Sequence, residues 1–481
     1  MFDLIVIGGG PAGATAVVRA RELGATVALV EREHLGGTCT NDGCVPTRVL
    51  AKAARLVRDA EQYAEYGLVG PKPTVDFAAL LAQTRKIVHR IHEKKRLQSH
   101  LEQTGATVFA NSGEARFVDE HSIALSDGTT LQGEKFILCV GGHARRIPFP
   151  GSEYALTHSD MWSLQKLPRQ VVVVGGAATG CQLASCFAAF GAQVHVLEVA
   201  PRILMLEDEA VSHGIARAFQ RHGITVITNI GGIERIEQQE GPLRLFYKHE
   251  GEVRQLTTEA VVLSVGWQGN VEELNLAAAS VKSERGYIVV DDYLQTTAPH
   301  IYAAGDITGR MMLVQSAMGE GALAAGNAVL GSKRTYRHEI VPHGGFTDPE
   351  YGSVGLTEER ARAAHDCVVA VVPYKALDRA LIDGHREGFC KLIVSTTTHR
   401  ILGAHILGEQ ALEVLQLVAT CITADMPVEK LGEMELAYPT FTAIVAIAAR
   451  QLSRELGIVP MGPQGQIPVP AFSAEWERGE A

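Results

Sequence analysis

Cys39 and Cys44 lie five positions apart in the run Gly37-Thr38-Cys39-Thr40-Asn41-Asp42-Gly43-Cys44-Val45-Pro46. Of the eight cysteines, only these two are framed by glycines and a proline. Pro46 suits the first turn of a helix opened by Cys44, and the spacing predicts that helix to run to roughly Tyr63. The dipole and free N–H groups at such a helix start stabilise a thiolate, the reactive form of cysteine. On residues alone two readings stay open, an exchangeable redox pair and a static one (a fixed disulfide or two core thiols). A disulfide is rare in a reducing compartment unless it is catalytic, which favours the redox reading. Cys139, Cys181, Cys186, Cys367, Cys390 and Cys421 lie singly in apolar strand-like or helix-like contexts and read as small buried hydrophobes. None forms a CxxC pair and no His/Cys cluster has zinc spacing, so no metal site is expected.

Such a pair needs a scaffold, and the N-terminus supplies one. Asp3-Leu4-Ile5-Val6-Ile7 reads as a buried strand, followed by Gly8-Gly9-Gly10-Pro11-Ala12-Gly13 and a helix through about Leu23. A second strand from Thr26 to Val30 closes on Glu31. This is a complete dinucleotide fingerprint: Gly8 makes the tight turn, Gly10 admits the pyrophosphate, Gly13 packs helix on strand, and Glu31 faces a ribose diol. The stretch from Val171 to Glu198 repeats the pattern with Gly175 and Gly180 in place, but Ala177 stands at the second glycine and aims a methyl where a pyrophosphate approaches. Glu198 favours NAD(H), because no arginine pair suited to a 2′-phosphate follows it and Arg202 is single. A longer helix, about Val75 to Gln103, carries Arg85, Lys86, Arg90, Lys94, Lys95 and Arg96, read as a solvated face.

At 481 residues the chain is too long for one core, and two to four domains are expected. Abundant glycine and few aromatics suit doubly wound α/β folds. The net charge of −10 and the lack of a basic arm argue against nucleic acid. No apolar run reaches membrane-spanning length and no signal peptide opens the chain, so a cytoplasmic location is expected.

The Cys39–Cys44 segment, both fingerprints, the strand ending Val140-Gly141-Gly142, the segment closing on Asp306 and the run Phe346-Thr347-Asp348-Pro349-Glu350 together resemble the class I pyridine nucleotide-disulfide oxidoreductases. That family includes dihydrolipoamide dehydrogenase, glutathione reductase and mercuric reductase, and the resemblance covers about 1–455. It implies two Rossmann-like dinucleotide-binding domains, for FAD and NAD, and a C-terminal α+β dimerisation domain. The expected division is an FAD-binding domain at 1–150 and 281–340, an NAD(P)-binding-like domain at 151–280, a dimerisation domain at 341–458 with a central hairpin over Leu392 to Gly408, and a flexible tail at 459–481. The resemblance further implies a redox disulfide between Cys39, the interchange thiol, and Cys44, the thiol against the flavin. It assigns Thr38, Arg48, Gly141 and Asp306 to FAD, and Gln182 and Gly266 to the nicotinamide side.

This chain departs from the family on the substrate side. Tyr438 occupies the place of the catalytic histidine and Ala443 that of its glutamate partner. Ala178 replaces a flavin-covering tyrosine. Arg48 and Gln182 replace a Lys–Glu ion pair beside the flavin. Tyr438 is a poor base, with roughly one phenol in a thousand ionised near neutrality, and the tail holds no cysteine pair for metal-ion reduction. The expected protein is a homodimeric FAD enzyme taking electrons from NADH and passing them to an atypical disulfide, a quinone or another small acceptor. The alternatives are a dithiol enzyme reduced by a small electron-transfer protein, and a flavin-containing sensor or binding protein with little turnover.

Overall fold

The computed structural model describes residues 1–238, 241–336, 338 and 340–458; the tail expected at 459–481 lies outside the described residues. Strand β1, Phe2–Ile7, buries Leu4, Ile5, Val6 and Ile7 on both faces, as a central parallel strand requires. Helix α1, Pro11–Glu22, follows, then β2, Val27–Val30. The redox segment forms a one-turn helix α2, Gly37–Asn41, and helix α3, Cys44–Asp59. The long basic helix expected over 75–103 is two helices, α4 at Phe77–Lys95 and α5 at Leu97–Gln103. Arg96 adopts φ 43° between them, a left-handed residue that caps the first helix and re-aims the chain. Asp76 caps the start of α4 by accepting from Ala79 N at 2.9 Å.

Strand β3, Thr107–Phe109, pairs in parallel with β2 at the sheet edge. Strands β4, Ala115–Asp119, β5, Ser122–Leu125, and β6, Thr130–Leu138, complete the order β3-β2-β1-β6-β5-β4. The seventh strand comes from far away. Ile301–Ala303 pairs in parallel with Phe136–Leu138 of β6, so the sheet is finished only after the chain returns. Helix α8, Val314–Leu330, then packs on α1 so closely that a Cβ on Gly321 would lie 2.1 Å from Ala12 O.

Between those passes a second parallel sheet forms from strands at Thr225–Ile227, Gln193–Leu197, Gln170–Val174 and Ala260–Leu263, in that order. It carries helices α6, Ala178–Ala189, and α7, Glu209–Arg221. The C-terminal part is a five-stranded antiparallel sheet built around the hairpin Phe389–Ser395 and Ile401–Leu407. Helices Ala411–Thr423 and Ala443–Glu455 bury Leu415, Val418, Ile444 and Ala448 with that sheet's Leu392, Val394 and Ile406. The other face of the sheet meets α7, where a Cβ on Gly214 would lie 2.3 Å from Leu407.

At that junction the buried polar residues run as one row. Ser353 pairs with His405 across one strand boundary and His405 with Lys391 across the next. Lys391 Nζ meets Asp208 at 2.8 Å and Glu358 at 2.6 Å, while Glu207 accepts from Ser353 at 2.7 Å and lies 3.3 Å from His343. Asp208 also caps α7, so the row holds the start of that helix against the sheet.

Candidate active site

The two fingerprint loops share their atomic detail. Gly8 and Gly175 take φ of 103° and 105°, in the region glycine alone enters without strain, and accept the turn out of each strand. A Cβ on Gly13 would sit 1.8 Å from Gly8 O, and one on Gly180 1.9 Å from Gly175 O, so each third glycine is needed for helix to pack on strand. Glu31 accepts from Gly9 N at 2.7 Å and from Glu33 N at 2.9 Å; Glu198 accepts from Gly176 N at 2.6 Å and from Ala200 N at 2.8 Å. Each carboxylate thus steadies its loop and keeps lone pairs for a ribose.

The helix starts match as well. Gly10 has φ −73°, ψ −172° and Ala177 φ −81°, ψ −175°. A Cβ on Gly10 would meet nothing nearer than Gly37 Cα at 3.7 Å, leaving open space above a helix N-terminus suited to a diphosphate. The first loop therefore fits FAD. In the second, the Ala177 methyl projects into the corresponding space.

The redox segment is fixed directly to the first loop. Gly36 N donates to Gly9 O at 2.9 Å, and Gly37, at φ 57°, packs where a Cβ would be 2.9 Å from Gly10 Cα. Thr38 O accepts from Gly43 N at 2.7 Å and Asp42 N at 3.1 Å, closing the turn between the cysteines. The turn is braced from outside by His92, whose Nε2 lies 2.7 Å from Asn41 Oδ1, and by Trp162 Nε1, which donates to Asp42 O at 2.9 Å. Ser159 donates to Asp42 Oδ2 at 2.6 Å. Helix α3 shares a buried cluster with α6 through Leu50, Ala54, Cys181 and Ala184, which joins the cysteines to the second fingerprint helix.

Cys39 and Cys44 are free thiols joined by a hydrogen bond. The Cys44 S–H holds the Cys39 thiol down at about 7, against burial and the Asp306 carboxylate, and the ammonium of Lys95 adds to the lowering. The same bond pushes Cys44 up, as do its dense surroundings, even though its surface is exposed. The two thiols share a proton, so one thiolate forms at this turn near neutral pH. Lys95 departs from the solvated face expected for its helix. It is the last residue of α4 and exposed, but its Nζ turns onto the redox segment and donates to Thr40 Oγ1 at 3.1 Å. Arg85, Lys86, Arg90, Lys94 and Arg96 are exposed, as a solvated face requires.

Asp306 follows Gly305, whose φ is 82°, and burial raises its carboxyl to about 6. Glu320 of α8, fully buried, accepts from Gly305 N at 2.6 Å, and burial raises it to about 7. Its other oxygen lies 2.8 Å from His338 Nε2, but without hydrogen-bond alignment. Gly141 has φ 65° and its carbonyl accepts from Asn270 N; Gly266, φ 116°, accepts from Arg145 N.

Arg48 and Gln182 are not partners. Arg48 donates to Glu350 Oε1 at 2.8 Å and lies over the Phe346 ring at 4.4 Å. Gln182 Oε1 accepts from Phe346 N at 3.1 Å and its amide donates to Ala178 O. The carboxylate missing from position 182 is therefore supplied to Arg48 by Glu350. Tyr438 is exposed and donates to Asp378 Oδ2 at 2.6 Å, and Ala443 opens the last described helix. Sequence reading took Lys95 as part of a solvated face, quoted Glu350 only within a motif, and missed His92, Trp162 and Glu320; none carries a spacing signal that links it to the cysteines.

A family model described as pyridine nucleotide-disulphide oxidoreductase matches residues 2–321, and one for that family's dimerisation domain matches residues 341–449. Dihydrolipoyl dehydrogenase of Zymomonas mobilis is 31% identical over 448 residues, covering 92% of this chain and 96% of that protein. Mercuric reductase of Bacillus cereus is 31% identical over 459 residues, covering 95% of this chain and 72% of that protein. Among solved structures, the HOCl-induced flavoprotein disulfide reductase RclA from Escherichia coli superposes with a TM-score of 0.83 at 29% identity, covering 93% of this chain and 99% of that one. No helix among the described residues is long and apolar enough to cross a membrane. The family binds FAD and ordinarily uses a nicotinamide dinucleotide. With its first fingerprint intact, its two thiols bonded beside it and its dimerisation unit matched, the chain belongs to the pyridine nucleotide-disulphide oxidoreductases.

Proposed function

We propose that this chain is a homodimeric, cytoplasmic oxidoreductase in which Cys39 and Cys44 cycle between disulfide and dithiol, with NADH as the reductant. The observation that carries this reading is the neighbouring thiol pair of Cys39 and Cys44 on a turn fixed to the first fingerprint loop. Gly8, Gly10, Gly13, Glu31, Thr38, Gly141 and Asp306 would hold FAD, which when bound supplies two-electron exchange between nicotinamide and the dithiol. Cys39 is the attacking sulfur and Cys44 the resolving one. Gly175, Gly180, Gly266 and Glu198 would take NADH, the Glu198 carboxylate opposing a 2′-phosphate. The domain division stated from the sequence stands as part of this proposal.

Stoichiometric NADH added anaerobically, followed by alkylation and mass spectrometry, tests the reading. One NADH should convert the 39–44 disulfide to two alkylated cysteines, and Cys39→Ser and Cys44→Ser should each abolish the conversion. Reduction that leaves the pair unchanged would overturn it. A second reading rests on Ala177: if its methyl keeps nicotinamide out, a small electron-transfer protein is the donor. Then NADH and NADPH would both fail while dithionite still opens the disulfide.

A further inference from the structure

We propose that the cavity between α4 and the segment 33–41 is a binding site for a small aromatic acid, a ring system carrying a carboxylate or sulfonate. The cavity holds about 720 Å³ and opens to solvent. Small-molecule sites span roughly 300–1,000 Å³. Arg85, His89, His92 and Arg96 reach it from the α4 side and His34 from the redox segment. Arg85 Nη1 donates to Trp162 O at 3.4 Å, and neither Arg85 nor Arg96 forms an ion pair among the described residues. The one carboxylate on the wall, Glu33, is matched by Arg32 at 3.5 Å. Burial, then the charges of His34, Lys95 and His89, hold His92 below its ordinary value, and an anion set among these groups would relieve their repulsion. Leu35, Leu81, Val88, Leu97 and the Trp162 indole supply apolar surface beside the cations. A bare inorganic ion would leave that surface wet. A ring bearing an acid group covers it while a planar guanidinium takes the acid group through two parallel N–H bonds.

The cavity is separate from the flavin groove. None of Gly8, Gly10, Gly13, Glu31, Thr38, Gly141 and Asp306 lines it. Gly36 and Gly37 meet the fingerprint loop, whereas His34 and Asn41 of the same segment line the cavity. The segment therefore stands between the two. Asn41 ties them together, donating to Gly37 O at 2.9 Å while its Oδ1 lies 2.7 Å from His92 Nε2. A ligand in the cavity thus touches the back of the turn that carries the cysteines.

The test uses flavin-loaded full-length protein and 4-benzoylbenzoate, an aromatic acid that inserts into neighbouring C–H bonds under near-ultraviolet light. Mass spectrometry should map its adducts to residues 33–41 and 81–99. The uncharged 4-benzoylbenzamide should label those residues about tenfold less, and excess 2-naphthoate should suppress the labelling. Arg85→Gln combined with Arg96→Gly should lower it by about tenfold or more. Glycine suits the φ of 43° at position 96, so the end of α4 is kept. Val88→Trp fills the cavity without altering its charge and should block labelling as well, with flavin absorbance and melting temperature showing that both variants are folded and loaded. Adducts confined to other parts of the chain, or equal labelling by the amide, would overturn the proposal. Labelling that appears only after flavin is stripped would also overturn it, by placing the cavity within the flavin groove.

Discussion

Two neighbouring substitutions illustrate how far a residue can be read without its surroundings. Arg48 and Gln182 depart together from the Lys–Glu pattern, which suggests an unneutralised charge near the flavin. In the fold that charge is neutralised by Glu350 at 2.8 Å and its plane rests on Phe346, whose backbone Gln182 holds. Arg48 is half exposed, so the pair adds at most about 1 kcal/mol of stability, and its consequence is electrostatic. Glu350→Gln should free the Arg48 charge and raise the flavin midpoint potential, whereas Gln182→Glu should move it less; potentiometry on both variants decides. The first-fingerprint residues were legible because each fills a geometric need that recurs at fixed spacing. Lys95 and Glu350 were not, since nothing in a helix's charge pattern reports that its last residue turns back onto another element. A tyrosine at the histidine position was legible as a loss. NADH-dependent turnover with lipoamide or oxidised glutathione should be depressed by about 10²–10⁴ relative to dyad-bearing relatives. Tyr438→His combined with Ala443→Glu should recover part of it in a steady-state assay.

Among the elements, the strand-turn-helix units were the most readable and the long helix the least. Glycines at 8, 10 and 13 mark a turn, an approach and a packing contact, and the same three places recur from 175 to 180. The helix over 75–103 broke at Arg96, which has neither the glycine nor the proline that would announce a left-handed cap. The two fingerprint helices offer a matched comparison. Because Ala177 already has the backbone of Gly10, Ala177→Gly requires no rearrangement, and glycine is a tolerable N-cap. The variant should bind NADH several-fold more tightly by calorimetry while its melting temperature shifts little. Gly180→Ala, by contrast, drives a methyl into Gly175 O and should cost several kcal/mol or prevent folding.

For the whole molecule, the junction between the second parallel sheet and the C-terminal sheet depends on a buried ion pair. Lys391 and Asp208 are both nearly inaccessible, and Lys391→Met would strand the carboxylate; the expected loss is about 3–5 kcal/mol, read by chemical denaturation. Burial pushes Asp208 up, but His405, the Glu358 N–H and Lys391 together hold it below its ordinary value. A depressed carboxyl stabilises above its unfolded value and loses that contribution in acid, so wild type and Lys391→Met should converge as pH falls below about 4. Glu320 behaves oppositely. Its carboxyl, raised by burial, costs nothing below its unfolded value of 4.5 and destabilises progressively as pH rises from there to about 7, above which the loss is complete, so Glu320→Gln should gain on wild type across that window and keep the advantage at higher pH. The seventh strand of the first sheet has a further consequence, for synthesis. Residues 136–138 of β6 reach the ribosome exit with one edge unsatisfied, and the segment that covers it, 301–303, is made more than 160 codons later. At roughly 5–20 residues per second, that edge stays open for on the order of ten seconds or more. During that interval the nascent chain presents an apolar strand margin, so the vectorial order of translation makes this sheet a natural client for chaperones acting on unfinished chains.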